Sequence, residues 1–303
     1  MKRVLLVYYS QTGQLAELTR HFALPLHSAD GIEVETLCIQ PQQEFAFPWR
    51  FFTFFNTFPE TVHLQPRPIV EPAFQTERYD AIVLAYTVWF LSPAQPMTAF
   101  LQHPEAQKRL RDTPVITLIG CRNMWLQAQE TMKKMLADCG AKLVGNVVKI
   151  DECSSAASFI TTPAWMFTGK KQAFACLPSA GIAEHELRDA QRFGERLKQV
   201  LQNNQTLDET LFHNMGAVRV NEKLIFSEKA GKRSFDVWGK LLLAAGKRSA
   251  ALRRVLLVGY IVFLVGIILT LVPISAAIKI LLKPWLKDKI AAEKAYFAAP
   301  SGE

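Results

Sequence analysis

The opening segment of the chain joins an apolar strand-like run to a short polar loop and a helix. Residues 4–9 are apolar and rich in β-branched side chains, residues 10–14 read Ser-Gln-Thr-Gly-Gln, and residues 15–26 have helical periodicity. A strand that turns directly into a helix presents free backbone N–H groups and the positive end of the helix dipole, which together bind phosphate. The loop contains no lysine and one glycine, so it matches neither the P-loop nor the dinucleotide fingerprint. The segment predicts a site for a single phosphate, although Ser-x-Thr-Gly is also common turn and cap chemistry.

A second strand-like run leads into an aromatic loop. Residues 79–86, Tyr-Asp-Ala-Ile-Val-Leu-Ala-Tyr, are predicted as a buried strand and continue into Thr-Val-Trp-Phe-Leu-Ser-Pro-Ala. Ser92 is predicted to cap a helix whose first residue is Pro93. Trp89 and Phe90 precede this cap and supply an aromatic edge beside the predicted strand end.

The rest of the first two hundred residues continues the alternation of strands and helices. Residues 115–119 form a short apolar strand, which is followed by the loop at residues 120–125 and a helix. Residues 33–39 and 141–150 are predicted as further strands, and residues 184–202 as an amphipathic helix. This alternation predicts an α/β fold with a five-stranded parallel sheet and helices on both faces.

Three loops are expected to meet at one edge of this sheet. In doubly wound sheets, ligands bind beyond the carboxyl ends of the strands, where the strand order reverses. The loops at residues 10–15, 87–92 and 120–125 all follow predicted strands. Their convergence predicts one ligand site built from all three.

These segments resemble the flavodoxin-like FMN proteins. The first loop is similar to the flavodoxin phosphate loop, and the Trp-Phe pair followed by Ser and Pro-Ala is similar to a loop of flavodoxin-like quinone reductases that lies against the isoalloxazine ring. Leu15 stands where a further threonine is common in flavodoxins. The alternative interpretation of Trp89 and Phe90 is that they are core residues.

The resemblance implies a doubly wound five-stranded sheet of order 2-1-3-4-5 with bound FMN. The residues that it assigns to the cofactor are Ser10, Gln11, Thr12, Gly13, Gln14, Leu15, Thr87, Val88, Trp89, Phe90, Leu91, Gly120, Cys121, Arg122 and Asn123. No metal site is expected, because the histidines and cysteines do not occur at metal-ligand spacing.

Two insertions exceed a minimal flavodoxin. The first, at residues 41–72, is dense in aromatic residues and has three interpretations: a helix on the domain surface, a lid over a hydrophobic substrate, or a wedge that contacts a membrane. The second, at residues 152–180, carries Trp165, Met166 and Phe167, which are predicted either to wall the cofactor site or to precede a solvated turn at Lys170.

The C-terminal region contains a long apolar run. Residues 256–277 carry no charge and reach the length of about 20 residues that spans a bilayer. The preceding basic and apolar residues predict an amphipathic helix at the membrane interface on the cytoplasmic side. Lysines at positions 279, 283, 287 and 289 follow the run as well, so a spanning helix, an interfacial helix and a re-entrant hairpin all remain open.

Charge and composition restrict the partners. The net charge is +8 and comes largely from the C-terminal basic flank, which favours membrane lipids over nucleic acid because no nucleic-acid-binding motif accompanies it. The chain shows no signal peptide, so the α/β domain is expected in the cytoplasm.

These features predict three regions. Residues 1–205 form the flavodoxin-like FMN-binding domain with insertions at residues 41–72 and 152–180. Residues 206–254 are predicted as a basic amphipathic linker, and residues 255–303 as a membrane helix with a basic tail.

The whole chain resembles the flavodoxin-like proteins of dialkylresorcinol biosynthesis. The aromatic insertion, the Arg-Asn-Met-Trp loop at residues 122–125, the segment at residues 165–171 and the membrane-seeking tail carry this resemblance. It implies an FMN-dependent oxidoreductase that aromatises an alkylated cyclohexanedione made by a ketosynthase partner. Arg122 is the candidate for stabilising a developing enolate or the reduced flavin, and no base is identified.

Two other functions are predicted as alternatives. One is a membrane-tethered electron carrier or quinone reductase, which needs a nicotinamide or protein reductase as partner and no bulky lipid pocket. The other is a flavodoxin-fold protein that no longer binds FMN, for which Leu15 is the indication.

Overall fold

Five parallel strands form the centre of the molecule in the computed structural model, which describes residues 1–151, 153, 155–270 and 286–303, without the side chains of residues 155, 156, 158 and 159. The strands are β1 (Lys2–Tyr8), β2 (Ile32–Cys38), β3 (Ala81–Trp89), β5 (Pro114–Cys121) and β6 (Lys142–Ile150), and a two-residue strand β4 (Ser92–Pro93) pairs with β3. Central β1, β3 and β5 are apolar and buried on both faces, as expected for a parallel sheet covered by helices. The predicted α/β fold is confirmed.

The strand order is β2-β1-β3-β5-β6, with β4 antiparallel to the end of β3. The five long strands taken alone follow the predicted order, and the sheet differs from the prediction by the additional β4. Ser92 was predicted to cap a helix that starts at Pro93, and this prediction is wrong. Phe90 and Leu91 have positive φ angles of 51° and 56°, so the chain reverses tightly and returns along β3.

Helices cover both faces of the sheet. A Cβ at Gly120 of β5 would contact Leu15 and Leu18 of α1 (Gln14–His27). On the same strand, the Thr117 hydroxyl accepts a hydrogen bond from Gln129 of α6 (Leu126–Asp138). Positions 117 and 120 have opposite parity on the strand, so α1 and α6 lie on opposite faces.

The remaining helices of the α/β part are short. They are α4 (Gln95–Gln102), α5 (Pro104–Leu110), α8 (Glu184–Asp189) and α9 (Gln191–Gln202), and α8 and α9 pack against α1. Residues 184–202 were predicted as one helix, but the structure divides them at Ala190 into α8 and α9, so the prediction of a single continuous helix is wrong.

The two insertions contribute three helices. The aromatic insertion folds into α2 (Phe51–Asn56) and α3 (Phe58–Val62), and the second insertion contains α7 (Ser155–Thr168). Phe45 and Trp49 precede α2 and are buried, whereas Phe51 and Phe52 on α2 are exposed. The insertion therefore has a buried part and a solvent-facing part.

The C-terminal region folds into α10 (Glu222–Arg248), α11 (Ala250–Leu269) and a last helix, α12, at residues 286–298. Buried apolar residues of α3, α10 and α11 form a second cluster, which contains Phe58, Val62, Leu242, Leu257 and Tyr260. Among the described residues, α11 is the helix that is long and apolar enough to cross a membrane, a test that buried helices of soluble proteins also pass. Residues 271–277 of the predicted apolar run lie outside the described residues.

We predict that Gly194→Ala strongly destabilises the fold. A Cβ at Gly194 of α9 would lie 1.9 Å from the carbonyl oxygen of Phe22 on α1, so the two helices would have to separate. Overpacking against backbone costs about 1–3 kcal/mol, and here we expect the upper end of that range. Denaturant unfolding in mild detergent measures the effect. Gly259→Ala on α11 is the matched control, because a Cβ there meets nothing within 4 Å and alanine favours the helix. Equal stability of the two variants would contradict the prediction.

Candidate functional site

The first predicted loop leads into the start of helix α1. Gly13 is the N-cap of α1 with a φ angle of 84°, a left-handed conformation that favours glycine. Gly13 has no side chain that could cap this helix, and the Ser10 hydroxyl oxygen accepts one first-turn N–H, that of Ala16, at 3.2 Å. The positive end of α1 is therefore open to an anion on the outer side of the loop.

One cavity of about 200 Å³ lies at the carboxyl ends of β1, β3 and β5. Twelve of the fifteen predicted residues line it: Ser10, Gln11, Thr12, Gln14, Leu15, Thr87, Val88, Trp89, Phe90, Gly120, Cys121 and Arg122. The structure thus brings the three predicted loops together.

Three predicted residues do not line the cavity. Gly13 shapes the loop from the N-cap position, and Asn123 follows the lining residue Arg122 on the third loop. Leu91 is buried and turns towards α10, where a Cβ at Gly231 would lie 3.2 Å from its side chain. The tight reversal at residues 90 and 91 separates Phe90, which lines the cavity, from Leu91, which does not.

The aromatic insertion closes one side of the cavity. The Trp49 indole N–H donates to the Gln11 side-chain oxygen at 3.1 Å, and the Trp49 backbone N–H donates to the carbonyl of Met166 at 2.8 Å. Trp49 also packs edge-on against Trp89, with ring centroids 5.6 Å apart. Trp89 thus packs in an aromatic cluster and lines the cavity at the same time, so the core and site interpretations of this residue are compatible.

Phe52 lies in the aromatic insertion, for which a lid is one interpretation, but it does not face the cavity. Its side chain is 56% exposed on the outer side of α2, and it does not line the cavity. Phe54, two residues later, lines the cavity and contacts Phe90 with ring centroids 4.7 Å apart. A helical step of two residues places side chains on different sides of a helix, so only one of these two phenylalanines can face inward.

Arg122 lies in the cavity wall beside Asp151. Burial lowers the pKa of the Arg122 guanidinium, and the nearby Asp151 carboxylate opposes this shift. Asp151 is buried, and its carboxylate accepts backbone N–H groups from Cys153 at 2.8 Å and Gly181 at 2.9 Å. Arginine remains charged under such conditions, so the cavity has a fixed positive group whose counter-charge is held by the backbone.

Ten further residues line the cavity, and sequence reasoning did not assign them to the cofactor: Tyr9, Phe47, Trp49, Phe54, Asp151, Thr162, Trp165, Met166, Gly181 and Ile182. The aromatic insertion and the segment around Trp165 were considered as walls. Asp151 could have been predicted from the sequence, because it directly follows a predicted strand and so lies at the ligand-binding edge of the sheet. Gly181 and Ile182 come from a loop with no such signal.

Glu228 of α10 is a buried carboxyl group behind the third loop. Its Oε2 accepts the N–H of Gln127 at 3.1 Å, at the start of α6, and among the described residues its Oε1 has no hydrogen-bond partner. Burial raises the pKa of Glu228 to about 8, while the backbone N–H groups of residues 125–127 act in the opposite direction. The carboxyl of a C-terminal helix therefore supports the loop that carries Arg122.

The donor chemistry of the site suits a phosphate and an aromatic ring better than a metal. The first loop offers hydroxyl and amide groups without a carboxylate, and the second offers Trp89. Within the described part of the chain, no cluster of three histidine, cysteine or acidic side chains is arranged to hold a metal ion.

Comparisons with known proteins find structural neighbours only. No family model and no curated protein matches the sequence. A flavoprotein in complex with FMN from Lactobacillus acidophilus NCFM matches with a TM-score of 0.40 and 14% identity, over 49% of this chain and 93% of that one. A flavodoxin described as WrbA-like from Agrobacterium tumefaciens matches with a TM-score of 0.35 and 12% identity, over 67% of this chain and 99% of that one. A flavone reductase matches with a TM-score of 0.37 and 11% identity, over 69% of this chain and 65% of that one. These scores are low, so the description of the fold depends on the strand order.

We predict that Glu228→Gln removes a pH dependence of stability. Folding raises the pKa of this carboxyl from 4.5 to about 8, so the folded state holds the proton more tightly and the free energy of unfolding falls as the pH rises from about 4.5 to 8. The slope from one such group is at most about 1.4 kcal/mol per pH unit. Urea unfolding at several pH values should show a flatter profile for Glu228→Gln than for the native protein.

The matched control is Glu209→Gln, which removes a carboxyl group from an exposed position. We expect its profile to parallel that of the native protein. A Glu228→Gln profile that also runs parallel would show that Glu228 is ionised in the folded state.

Proposed function

We propose that this protein is a membrane-attached, FMN-dependent oxidoreductase that acts on a hydrophobic substrate. The observation that carries the proposal is the cavity in which the start of α1, the Trp89–Phe90 edge and Arg122 meet at the carboxyl ends of three parallel strands. This is the position at which doubly wound sheets bind their ligands. Mild-detergent purification followed by measurement of bound flavin tests the cofactor directly.

The first loop fits the phosphate of FMN. Backbone N–H groups at the start of α1 and the hydroxyls of Ser10 and Thr12 supply donors, and a Cβ at Gly13 would meet no protein atom within 4 Å. A single phosphate in such a loop needs no lysine or metal ion. Trp89 and Phe90 would flank the ring system, where aromatic contacts exclude water.

The chemistry of the proposed cofactor is reversible hydride transfer, which FMN supplies when bound. The protein contributes a fixed positive charge at Arg122 and an aromatic wall along one side of the cavity. A positive group that is oriented before reaction stabilises negative charge that develops on a substrate or cofactor oxygen or nitrogen. Asp151 orients this charge through its own backbone hydrogen bonds.

The volume of the cavity favours a second candidate function. At about 200 Å³ it is smaller than the roughly 300–1,000 Å³ typical of cofactor pockets, because Trp49 and Phe54 occupy one side. Enclosing FMN in this cavity would need an outward movement of wall side chains such as Trp49 or Phe54. A flavodoxin-fold protein without FMN needs no such movement, and purified protein free of flavin and unable to bind added FMN would establish this second candidate.

The membrane attachment is supported by exposed apolar surface. Val255, Val262 and Leu269 on α11 are exposed, and Phe51 and Phe52 on the neighbouring α2 are exposed as well. Exposed apolar surface of this extent is characteristic of lipid or protein contacts. The basic residues of α10, including Lys240, Lys247 and Arg248, suit an anionic lipid surface.

A hydrophobic substrate is supported by the aromatic rings between the cavity and this exposed surface. Trp49 contacts Phe54 at 5.5 Å between ring centroids, Phe54 contacts Phe55 at 5.2 Å, and Phe55 contacts the exposed Phe51 at 4.9 Å. An alkyl chain lying along these rings would gain about 0.8 kcal/mol for each buried methylene. The more specific proposal is that the substrate is an alkylated cyclohexanedione, which the enzyme oxidises to a dialkylresorcinol.

We predict that Gly13→Val abolishes FMN binding by folded protein. Valine disfavours the positive φ angle at this position, so the loop would lose the geometry that aims its N–H groups outward. The flavin absorbance of the purified variant measures occupancy. Gly31→Val is the matched control, since Gly31 has a φ angle of 80°, also meets nothing within 4 Å and precedes β2 at the opposite edge of the sheet. Both variants should lose similar stability. Full occupancy in Gly13→Val would place the phosphate elsewhere.

We predict that Trp49→Ala and Phe54→Ala reduce turnover of long-chain substrates in detergent by tenfold or more. Each removes an aromatic surface next to the cavity, and losing contact with two methylenes costs about 1.6 kcal/mol. The assay compares alkylated cyclohexanediones of increasing chain length. Phe52→Ala is the matched control, because this side chain faces outward on the same helix as Phe54. Reduction of short quinones by a nicotinamide donor, unaffected by these changes, would favour the quinone-reductase alternative.

A further inference from the structure

The last helix of the chain returns to the α/β sheet. Beyond α12, the hydroxyl oxygen of Ser301 accepts the backbone N–H of Asn146 on β6 at 2.7 Å. The Glu303 carboxylate accepts the N–H of Val220 at 3.1 Å, and the carbonyl of Pro300 lies 3.0 Å from the ring nitrogen of His213. Phe297 is 3% exposed and belongs to the main core.

Side chains fix α12 to two further helices. The Tyr296 hydroxyl donates to Glu130 of α6 at 2.6 Å, and Glu293 pairs with Lys229 of α10 at 2.8 Å. Apolar burial, backbone hydrogen bonds and an ion pair thus act together. Removing α12 from the domain would expose Phe297 and break the hydrogen bond from the Asn146 N–H to Ser301.

The other end of the apolar region is attached to the same body. The Arg253 guanidinium, in the first turn of α11, forms a bidentate ion pair with Glu60 of α3 at 2.7 and 2.9 Å. It also donates to the side-chain and main-chain oxygens of Asn56 at 2.9 and 2.8 Å. Bidentate arginine pairs are geometrically specific, so the start of α11 is fixed to the aromatic insertion.

We propose that Arg253 and α12 lie on the same face of the membrane, so that the chain is monotopic and does not pass through the bilayer. This inference depends on the membrane attachment proposed above. Both ends contact one folded body, so the intervening chain crosses the bilayer either twice or not at all. Residues 254–285 number about 32, whereas two crossings need about 40.

The charges on the two sides of the apolar region fit this arrangement. Lys247, Arg248 and Arg254 precede it, and lysines at positions 279, 283, 287 and 289 follow it. Basic residues next to membrane segments remain on the cytoplasmic side, and a single-pass topology would place one of the two groups on the opposite side. A monotopic chain keeps both groups on one face, where anionic lipid attracts them.

Labelling of single cysteines tests the topology in the full-length protein. The exposed cysteines are Cys38 and Cys176, and Cys38→Ser leaves Cys176 as the exposed reporter on the α/β part. A second variant replaces both exposed cysteines by serine and adds Ala295→Cys, so that its reporter cysteine lies at an exposed position of α12. The same background with Val262→Cys places it on α11, at a position that is 68% exposed. The double-serine background alone measures labelling of the buried cysteines.

A membrane-impermeant maleimide is applied to spheroplasts and to inverted vesicles of the expression host. We expect the reporters at positions 176 and 295 to react in the same preparation, and the reporter at position 262 to react only after detergent is added. Reaction of positions 176 and 295 in opposite preparations would overturn the monotopic topology while leaving membrane attachment intact. Release of the protein from membranes by high salt, with rapid labelling of position 262, would overturn the attachment and the topology together.

Discussion

The Gln11 side chain joins the first loop to the aromatic insertion, and the shape of the cavity depends on this connection. Its amide nitrogen donates to the carbonyls of Phe45 and Ala46 at 3.1 and 2.9 Å, and its oxygen accepts the indole N–H of Trp49. One amide thus satisfies two carbonyls and a buried indole. Leaving such groups unpaired costs about 1–3 kcal/mol each, so the loop and the insertion hold each other in place.

The connection continues from the insertion to the C-terminal helices. Phe58 of α3 stacks on Tyr260 of α11 with ring centroids 4.8 Å apart, and it also contacts Phe90, which lines the cavity, at 5.7 Å. His63 of the same insertion lies 3.1 Å from the carbonyl of Asp236 on α10. Within residues 206–254, which were predicted as a basic amphipathic linker, Glu222–Arg248 form the 27-residue helix α10, and this helix packs against α3 and α6. Its Lys232 donates to Ser92 at 3.1 Å, which is the hydroxyl that was predicted to cap α4.

Local sequence was sufficient to predict the strands and the edge of the sheet where the loops meet. Apolar runs of five to nine residues between polar loops have few alternatives in an α/β chain, and parallel strands align their carboxyl ends. The inward position of Phe54 and the outward position of Phe52 were beyond such reasoning, because a run of phenylalanines has no polar face to orient it. The role of Glu228 could not be predicted from the sequence either, since its burial depends on contact with Gln127, about a hundred residues earlier.

Long-range contacts were also missing from the prediction of membrane topology, which the distribution of basic residues alone left open. Basic residues on both sides of an apolar run contradict a single crossing, but they do not say how the chain resolves the conflict. The contacts of Arg253 with Glu60 and of Ser301 with Asn146 supply the missing distance constraint, because they attach both ends of the run to one body. With the membrane attachment proposed above, these contacts would hold the α/β part and its cavity at a fixed orientation to the lipid surface. Phe58 contacts both Tyr260 of the apolar helix α11 and Phe90 of the cavity wall, so α11 and the cavity wall share one set of packing contacts.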